Sequence, residues 1–144
     1  MGLLAWLFGR PTPVKPEASP ASDEPVSLTG RGRYELQVVG ESHYQLSLET
    51  LCGGRTYDGH NKPTLATLIH EDTNPHDGQA VRVEIDEITV GYLNRQEARS
   101  YRRALADAGH AGRVATCAAL IVGGWDRGDG DRGHFGVRLD IPVV

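Results

Sequence analysis

Short alternating runs of hydrophobic and polar residues, separated by turn residues, occupy most of the chain from Arg33 onward. The run over residues 34–39 alternates and then stops at Gly40, which is typical of a half-buried strand. The same pattern predicts five further strands, over residues 64–70, 80–85, 88–93, 113–122 and 135–141. Because only Asp86 and Glu87 separate two of these runs, we expect a tight hairpin there.

One amphipathic helix is predicted over residues 95–108. Asn94 can act as its N-cap, and Glu97 stands three residues later in a capping-box-like arrangement. Gly109 follows the run where a left-handed C-cap belongs. The residues that recur at helical spacing on the apolar side are Ala98, Tyr101, Leu105 and Ala108.

One further segment fits two kinds of element. Residues 44–52 end at Gly53-Gly54 and fit either a strand or a short helix with a glycine C-cap. The chain is therefore predicted to be mainly β with one or two helices, arranged as a small OB-like β-barrel. A parallel α/β sheet would need a helix between most of its strands.

The first thirty residues differ in composition from the rest. Residues 3–8 form an apolar run that is far too short to span a bilayer, which needs roughly 20 residues. This run has two interpretations, a short helix that docks on a protein partner or membrane surface, and a tail without a role. Residues 11–28 carry five prolines among polar residues and are expected to be a linker. We therefore expect a flexible tail over residues 1–30 and one folded domain over residues 31–144.

Composition and charge limit the partners. The net charge of -4 argues against a protein that coats nucleic acid through bulk electrostatics, so any DNA contact must use a local patch. The only two cysteines, Cys52 and Cys117, lack a CxxC spacing, and nothing before them resembles a cleavable signal sequence. We expect both thiols to be reduced and the protein to be cytoplasmic.

The strongest local charge lies on the predicted helix. Its outer side carries four residues of one type at spacings of three and four, which are Arg95, Arg99, Arg102 and Arg103. Such a stripe fits a phosphate-binding surface, because guanidinium groups match phosphate oxygens. It equally fits a solvated helix face with Glu97 and Asp107 nearby.

A second candidate is the run Asn74-Pro75-His76-Asp77-Gly78. Asn before Pro and Asp before Gly both favour turns, and a turn alone accounts for the run. The same residues also place an amide, an imidazole and a carboxylate in one bend. There the Asp77 carboxylate could accept a hydrogen bond from a sugar hydroxyl and His76 could stack on a base.

Three segments stand in a fixed order along the chain, and they are residues 38–45 (VVGESHYQ), residues 74–83 (NPHDGQAVRV) and residues 91–95 (GYLNR) followed by Ala98. Together they resemble the landmarks of HIRAN domains. The resemblance extends over about residues 34–141. It implies an OB-like barrel of the kind found fused to helicase-like fork-remodelling proteins and alone in bacterial proteins. The best understood members bind the 3′-hydroxyl end of single-stranded DNA, which places them in DNA repair or replication.

The resemblance also implies roles for single residues. Asp77 matches the carboxylate that accepts from the terminal 3′-hydroxyl, and Asn74 shapes the same turn. Tyr92 and Arg95 match an aromatic and a basic position on the pocket rim. Histidines stand at both stacking positions, His43 at one and His76 where those members usually have tyrosine. Ser42 replaces a phosphate-binding arginine.

Other chemistries receive less support from the residues. Ser42, His43, His76 and Asp77 include the residue types of a hydrolase, but no nucleophile elbow is present. The chain's histidines lack zinc spacing, and residues 126–131 lack the distal glutamate of a calcium loop. We expect residues 126–131 to form a hairpin tip. Trp125 at its base fits either a core anchor, which is the favoured interpretation, or an exposed stacking platform.

The leading hypothesis is a DNA-binding module that recognises single-stranded 3′-hydroxyl ends, without catalysis, metal or cofactor. Its predicted binding residues are His43, Asn74, His76, Asp77, Tyr92, Arg95 and Arg99. The alternative is a protein-interaction adaptor that does not bind nucleic acid and in which residues 3–8 dock on a partner. Net negative charge favours the adaptor, whereas the arginine stripe favours DNA.

Overall fold

The computed structural model describes residues 24–142, which form seven strands and two α-helices. The strands are β1 (Val26–Ser27), β2 (Leu36–Gln37), β3 (His60–Glu71), β4 (Ala80–Ile85), β5 (Ile88–Tyr92), β6 (Ala115–Gly123) and β7 (Phe135–Leu139). The helices are α1 (Gln45–Cys52) and α2 (Arg95–Asp107), and a 3-10 turn over Glu41–Tyr44 leads into α1. The predicted fold class, mainly β with one or two helices and consistent with a small OB-like barrel, is confirmed.

The strands form one curled sheet in the order β2-β7-β6-β3-β4-β5, with β1 added in parallel beside the start of β6. The two ends of this path meet where Val39 and Tyr92 exchange backbone hydrogen bonds of 2.8 and 2.9 Å. Gly91 permits this approach, because a Cβ there would clash with the Val38 side chain and the Val39 carbonyl. Tyr92 is thereby fixed at the junction that closes the sheet.

The core lies inside the curl and follows the alternation of the strands. Along β6 every second side chain is buried, from Ala115 to Ile121, as the period of two requires. Helix α2 covers this interior and buries Ala98, Tyr101 and Leu105 as predicted, together with Ala104, whereas the predicted Ala108 is only half-buried. The opposite side of α2 carries polar residues, whereas the outward positions of the strands are mixed, with Arg82 and Glu84 on β4 but Ala118, Leu120 and Val122 on β6.

The local signals in the sequence predict these elements well. The β4–β5 hairpin turns at Asp86 and Glu87, whose φ angles of 53° and 67° match the turn that suits the twist of a hairpin. Asn94 caps α2 by accepting a hydrogen bond of 2.7 Å from the Glu97 backbone. Of the two elements that fit residues 44–52, the helix is the one present. Gly53 ends it as the predicted glycine C-cap, with a φ of 78°.

Two predictions about extent are wrong. The run over residues 34–39 contributes only the short β2, because Tyr34 has a φ of 50° that leaves the strand region. The predicted linker is too long, because its last residues pair with β6 as β1 and Leu28 is buried. The packed region thus begins before Arg31. The predictions for residues 3–8 and for the linker up to residue 23 lie outside the described residues.

The chain before β2 is held by Asp140, which is buried just after β7. Its carboxylate accepts backbone hydrogen bonds from Gly32, Arg33 and Tyr34 at 2.9–3.3 Å. These bonds satisfy a charge that would otherwise be costly to bury. Neither helix within residues 24–142 is long and apolar enough to cross a membrane.

Candidate functional site

The connection between β3 and β4 carries the first candidate residues. The Asn74 side chain accepts hydrogen bonds from the backbone N–H groups of His76 at 2.8 Å and Asp77 at 3.2 Å. Asp77 in turn accepts a hydrogen bond of 3.0 Å from the Gln79 backbone. The predicted turn is confirmed, and its own side chains hold it in shape.

Helix α2 presents two arginines to this turn. Arg95 Nε lies 3.7 Å from Asp77 Oδ2, and Arg99 Nη2 lies 3.6 Å from Asp77 Oδ1. Arg95 also donates a hydrogen bond of 3.2 Å to the His76 backbone carbonyl. The Asp77 side chain is only 12% exposed, whereas those of Arg95 and Arg99 are 69% and 44% exposed. The structure therefore places one sheltered carboxylate beside two accessible guanidinium groups.

The other two arginines of the stripe, Arg102 and Arg103, do not pair with Asp77. Arg102 donates to Asp72 and to the Ala80 carbonyl, both at 2.8 Å, and so fastens α2 to both ends of the β3–β4 connection. Arg103 is exposed and forms no ion pair within residues 24–142. The stripe is neither a free phosphate surface nor a merely solvated face, because three of its four arginines bind the neighbouring turn.

Glu71, at the end of β3, was missed by sequence reasoning. Its carboxylate accepts hydrogen bonds from Asn74 Nδ2 at 2.9 Å, Arg82 Nη1 at 2.5 Å and Tyr92 Oη at 3.2 Å. Arg82 also donates to Glu84 at 2.9 Å. Glu71 thereby joins three strands and the turn. The strand register would have revealed this contact. Arg82 pairs with Ile69 of β3 and with Tyr92 of β5. Glu71 lies two residues after Ile69 and therefore on the same face of the sheet.

The protonation states in this network follow from its contacts. Burial opposes the ionisation of Glu71, but hydrogen bonds from Arg82, Asn74 and Tyr92 outweigh burial and lower the pKa of its carboxyl. Burial and the Glu71 contact raise the pKa of Tyr92 to about 12. Glu71 is thus an acceptor and Tyr92 a donor near neutral pH, so the network keeps its geometry there.

The two histidines lie apart. His76 is exposed on the turn, and its ring makes no hydrogen bond to any described residue. His43 is exposed on the 3-10 turn, which packs against β5. Tyr44, the next residue, lies near enough to Tyr92 to influence its pKa.

The structure therefore brings together most, but not all, of the predicted binding residues. We call the group in direct contact the Asp77 site, which comprises Asn74, His76, Asp77, Arg95 and Arg99. Tyr92 joins it through Glu71. Among residues 24–142, His43 makes no hydrogen bond to any of these residues.

The geometry gives little support to a hydrolase or a metal site. Asp77 contacts arginines rather than a histidine, so it does not orient a base as in a hydrolase triad. No three metal-ligating side chains cluster within residues 24–142.

The tip over residues 126–131 is held by two ion pairs, Arg127 with Asp131 at 3.7 Å and Arg132 with Asp126 at 3.3 Å. Trp125 lies between its two interpretations, because this side chain is half-buried.

Comparisons with protein-family models, with curated proteins and with solved structures give no match to this chain.

Proposed function

We propose that this domain binds the 3′ end of single-stranded DNA, as the resemblance to HIRAN domains implies, and that it does so without catalysis. The observation that carries the proposal is the Asp77 carboxylate, held in a fixed turn between Arg95 and Arg99. A terminal nucleotide presents a hydroxyl group and a phosphate close together. A carboxylate beside guanidinium groups offers a partner to each of them.

The distances at the Asp77 site support this assignment. Charge-assisted hydrogen bonds between nitrogen and carboxylate oxygen are usually about 2.7–2.9 Å long. The contacts of Arg95 and Arg99 with Asp77 are 3.6–3.7 Å, so the guanidinium groups retain donor capacity for a phosphate. Two arginines around one carboxylate also leave a net positive charge. The Asp77 oxygens can accept more than the single hydrogen bond from Gln79.

The neighbouring residues would add contacts to the bases. His76 is exposed on the turn that holds Asp77, where its ring can stack on the terminal base. Tyr92 already donates to Glu71, so its role is to hold the rim rather than to bind the hydroxyl. His43, on the turn packed against β5, would meet a base further along the strand.

The test compares two short single strands that differ only at the 3′ end. A 5′-labelled oligonucleotide with a free 3′-hydroxyl is expected to bind more tightly than the same oligonucleotide with a 3′-phosphate, as measured by fluorescence anisotropy. Replacing Asp77 by alanine should weaken binding of the free end by about 1.5–3 kcal/mol, the usual net contribution of a charge-assisted hydrogen bond. Binding of the blocked end should hardly change.

Asp72 provides the matched control. It lies on the same connection between β3 and β4 and carries the same charge, but it pairs with Arg102 instead of Arg95 and Arg99. Asp72→Ala should therefore leave the preference for the free end intact. Equal losses on free and blocked ends for Asp77→Ala would contradict end recognition. Absence of binding to either strand at low salt would contradict the DNA proposal as a whole.

A further inference from the structure

A second surface lies where the chain leaves α1 and where it leaves β6. Backbone hydrogen bonds join these two places, from Thr56 to Gly124 at 3.4 Å and from Asp126 to Thr56 at 2.9 Å. They bring Tyr57 and Trp125 to one guanidinium, that of Arg127, whose Cζ lies 5.5 and 5.2 Å from the two ring centroids. Both distances are within the range of cation–π attraction.

The two rings are held ready in different ways. Trp125 donates a hydrogen bond of 3.1 Å from Nε1 to Asp131, and Gly133 packs so closely on its ring that a Cβ would lie 2.5 Å away. Tyr57 is 66% exposed, which is unusual for a large aromatic residue that has only a structural role. The fold therefore fixes one ring and leaves the other open to solvent.

The arginine between the rings is weakly held. Its remaining side-chain contact is an ion pair of 3.7 Å with Asp131, longer than a hydrogen bond, and both partners are substantially exposed. Exposed ion pairs and exposed cation–π contacts each contribute little. Another cation can consequently replace Arg127 at low cost.

The charge around the rings favours a cationic ligand. Aspartates outnumber arginines among the exposed charged residues of these loops, which are Asp58, Asp126, Arg127, Asp129, Asp131 and Arg132. Such a surface repels the phosphates of nucleic acid and attracts basic groups. It is opposite in sign to the rim of the Asp77 site.

We propose that Tyr57 and Trp125 form a binding site for an arginine side chain from a basic segment of a partner protein, and that Arg127 occupies this site when the partner is absent. We call it the Tyr57–Trp125 site. The incoming guanidinium stacks where Arg127 now stacks, and the displaced Arg127 turns to solvent. The site does not depend on DNA binding, and it assigns the domain a protein contact on a surface separate from the Asp77 site.

Trp125 itself can report binding. The chain has two tryptophans, so Trp6→Phe leaves Trp125 as the only one. The full chain with this substitution would be titrated with an acetylated, amidated penta-arginine peptide and followed by tryptophan fluorescence. A penta-citrulline peptide, nearly the same in shape but uncharged, and a five-residue oligothymidine serve as comparisons. We expect a saturable change with the arginine peptide and a much weaker one with the other two.

Substitutions at the rings separate this site from general attraction to an acidic surface. Tyr57→Ala should weaken binding of the arginine peptide about three- to fivefold, whereas Tyr57→Phe should keep the affinity because the ring remains. Asp129→Asn should weaken it slightly, and Asp86→Asn, in the β4–β5 turn, should not. Equal affinity for the Tyr57→Ala and Tyr57→Phe variants would overturn the proposal.

The affinity of an Arg127 variant for the arginine peptide is the decisive measurement. If it competes for the rings, Arg127→Gln should strengthen binding of the arginine peptide several-fold. If it only braces the loop, the same change should weaken binding or leave it unaltered, which would contradict the proposal. Should Arg127→Gln loosen the loop and shift the Trp125 emission without peptide, the comparison of Tyr57→Ala with Tyr57→Phe decides alone. Tighter binding of oligothymidine than of the peptide would assign the rings to nucleic-acid bases instead.

Discussion

The Asp77 site and the Tyr57–Trp125 site use arginine in opposite ways. At the Asp77 site a carboxylate is sheltered and the arginines around it are accessible. At the Tyr57–Trp125 site an arginine occupies the centre, and aromatic and acidic groups surround it. The first arrangement offers positive charge to a ligand, and the second offers rings and negative charge.

The difference comes from the scaffold beneath each site. Arg95 and Arg99 stand one turn apart on α2, whose buried face fixes their direction. Tyr57 and Trp125 stand on loops that are joined by a few backbone hydrogen bonds. Strand β6 links the regions, since Tyr101 of α2 lies near Cys117 of β6 and Trp125 follows the end of the strand. The two surfaces thus differ in sign, although the chain as a whole carries a net charge of -4.

Removing β1 should have the largest effect and should damage both sites together. Deletion of residues 1–28 removes Val26 and Leu28 from the core and exposes the edge of β6 near Ala115. Loss of one buried leucine alone usually costs about 2–5 kcal/mol. We expect the melting temperature, measured by circular dichroism, to fall strongly and the affinities for DNA and for the arginine peptide to fall with it.

Deletion of residues 1–22 is the control, since it removes none of the contacts described for residues 24–142. Its melting temperature should stay close to that of the full chain. If the chain without residues 1–28 melts at the same temperature as the full chain, β1 does not stabilise the fold on which both sites depend.

Replacing Glu71 should affect the Asp77 site alone. Glu71→Ala leaves Arg82, Asn74 and Tyr92 without their common acceptor. Because these side chains are half-buried, the cost should lie near the low end of the roughly 1–3 kcal/mol of an unsatisfied buried polar group. Asn74 then loses the contact that orients its side chain toward the turn. We expect a lower unfolding free energy in urea and about a tenfold loss of affinity for the free 3′ end.

Glu84 offers the matched control for Glu71. It pairs with the same arginine and has the same side-chain exposure of 18%, but it accepts no hydrogen bond from Asn74 or Tyr92. Glu84→Ala should lower stability without a comparable loss of DNA affinity. Fluorescence of Trp125 and binding of the arginine peptide should be unchanged in both variants. A loss of peptide binding in Glu71→Ala would mean that the two sites are coupled.

Sequence reasoning succeeded where the determining contacts are local. The cap at Asn94, the β4–β5 turn and the spacing of the buried residues in α2 all depend on neighbours within a few positions. The turn that holds Asp77 is local as well, because Asn74 and Asp77 bind backbone groups two or three residues away. Helix spacing predicted a common face for Arg95 and Arg99.

Sequence reasoning failed where distant segments meet. Glu71 and Tyr92 are 21 positions apart, and their contact depends on a strand register that no single run reveals. Tyr57 and Trp125 reach the same arginine through a loop junction with no periodic pattern. The pairing of β1 with β6 joins residues almost ninety positions apart. A proline-rich composition concealed the two apolar residues, Val26 and Leu28, that this pairing buries.

The smallest effect expected is a change in salt dependence at the rim of the Asp77 site. Arg95→Ala or Arg99→Ala should weaken free and blocked 3′ ends equally, by a few-fold, because a phosphate contact carries no information about the end. Each substitution should also lower the slope of log affinity against log salt concentration by about 0.7, the contribution of one phosphate on a single strand. Arg103→Ala removes the same charge from an arginine that does not contact Asp77, so it should leave the slope nearly unchanged. If all three variants lower the slope alike, α2 acts as a diffuse positive surface, and the pairing of Asp77 with Arg95 and Arg99 is not what binds the phosphate.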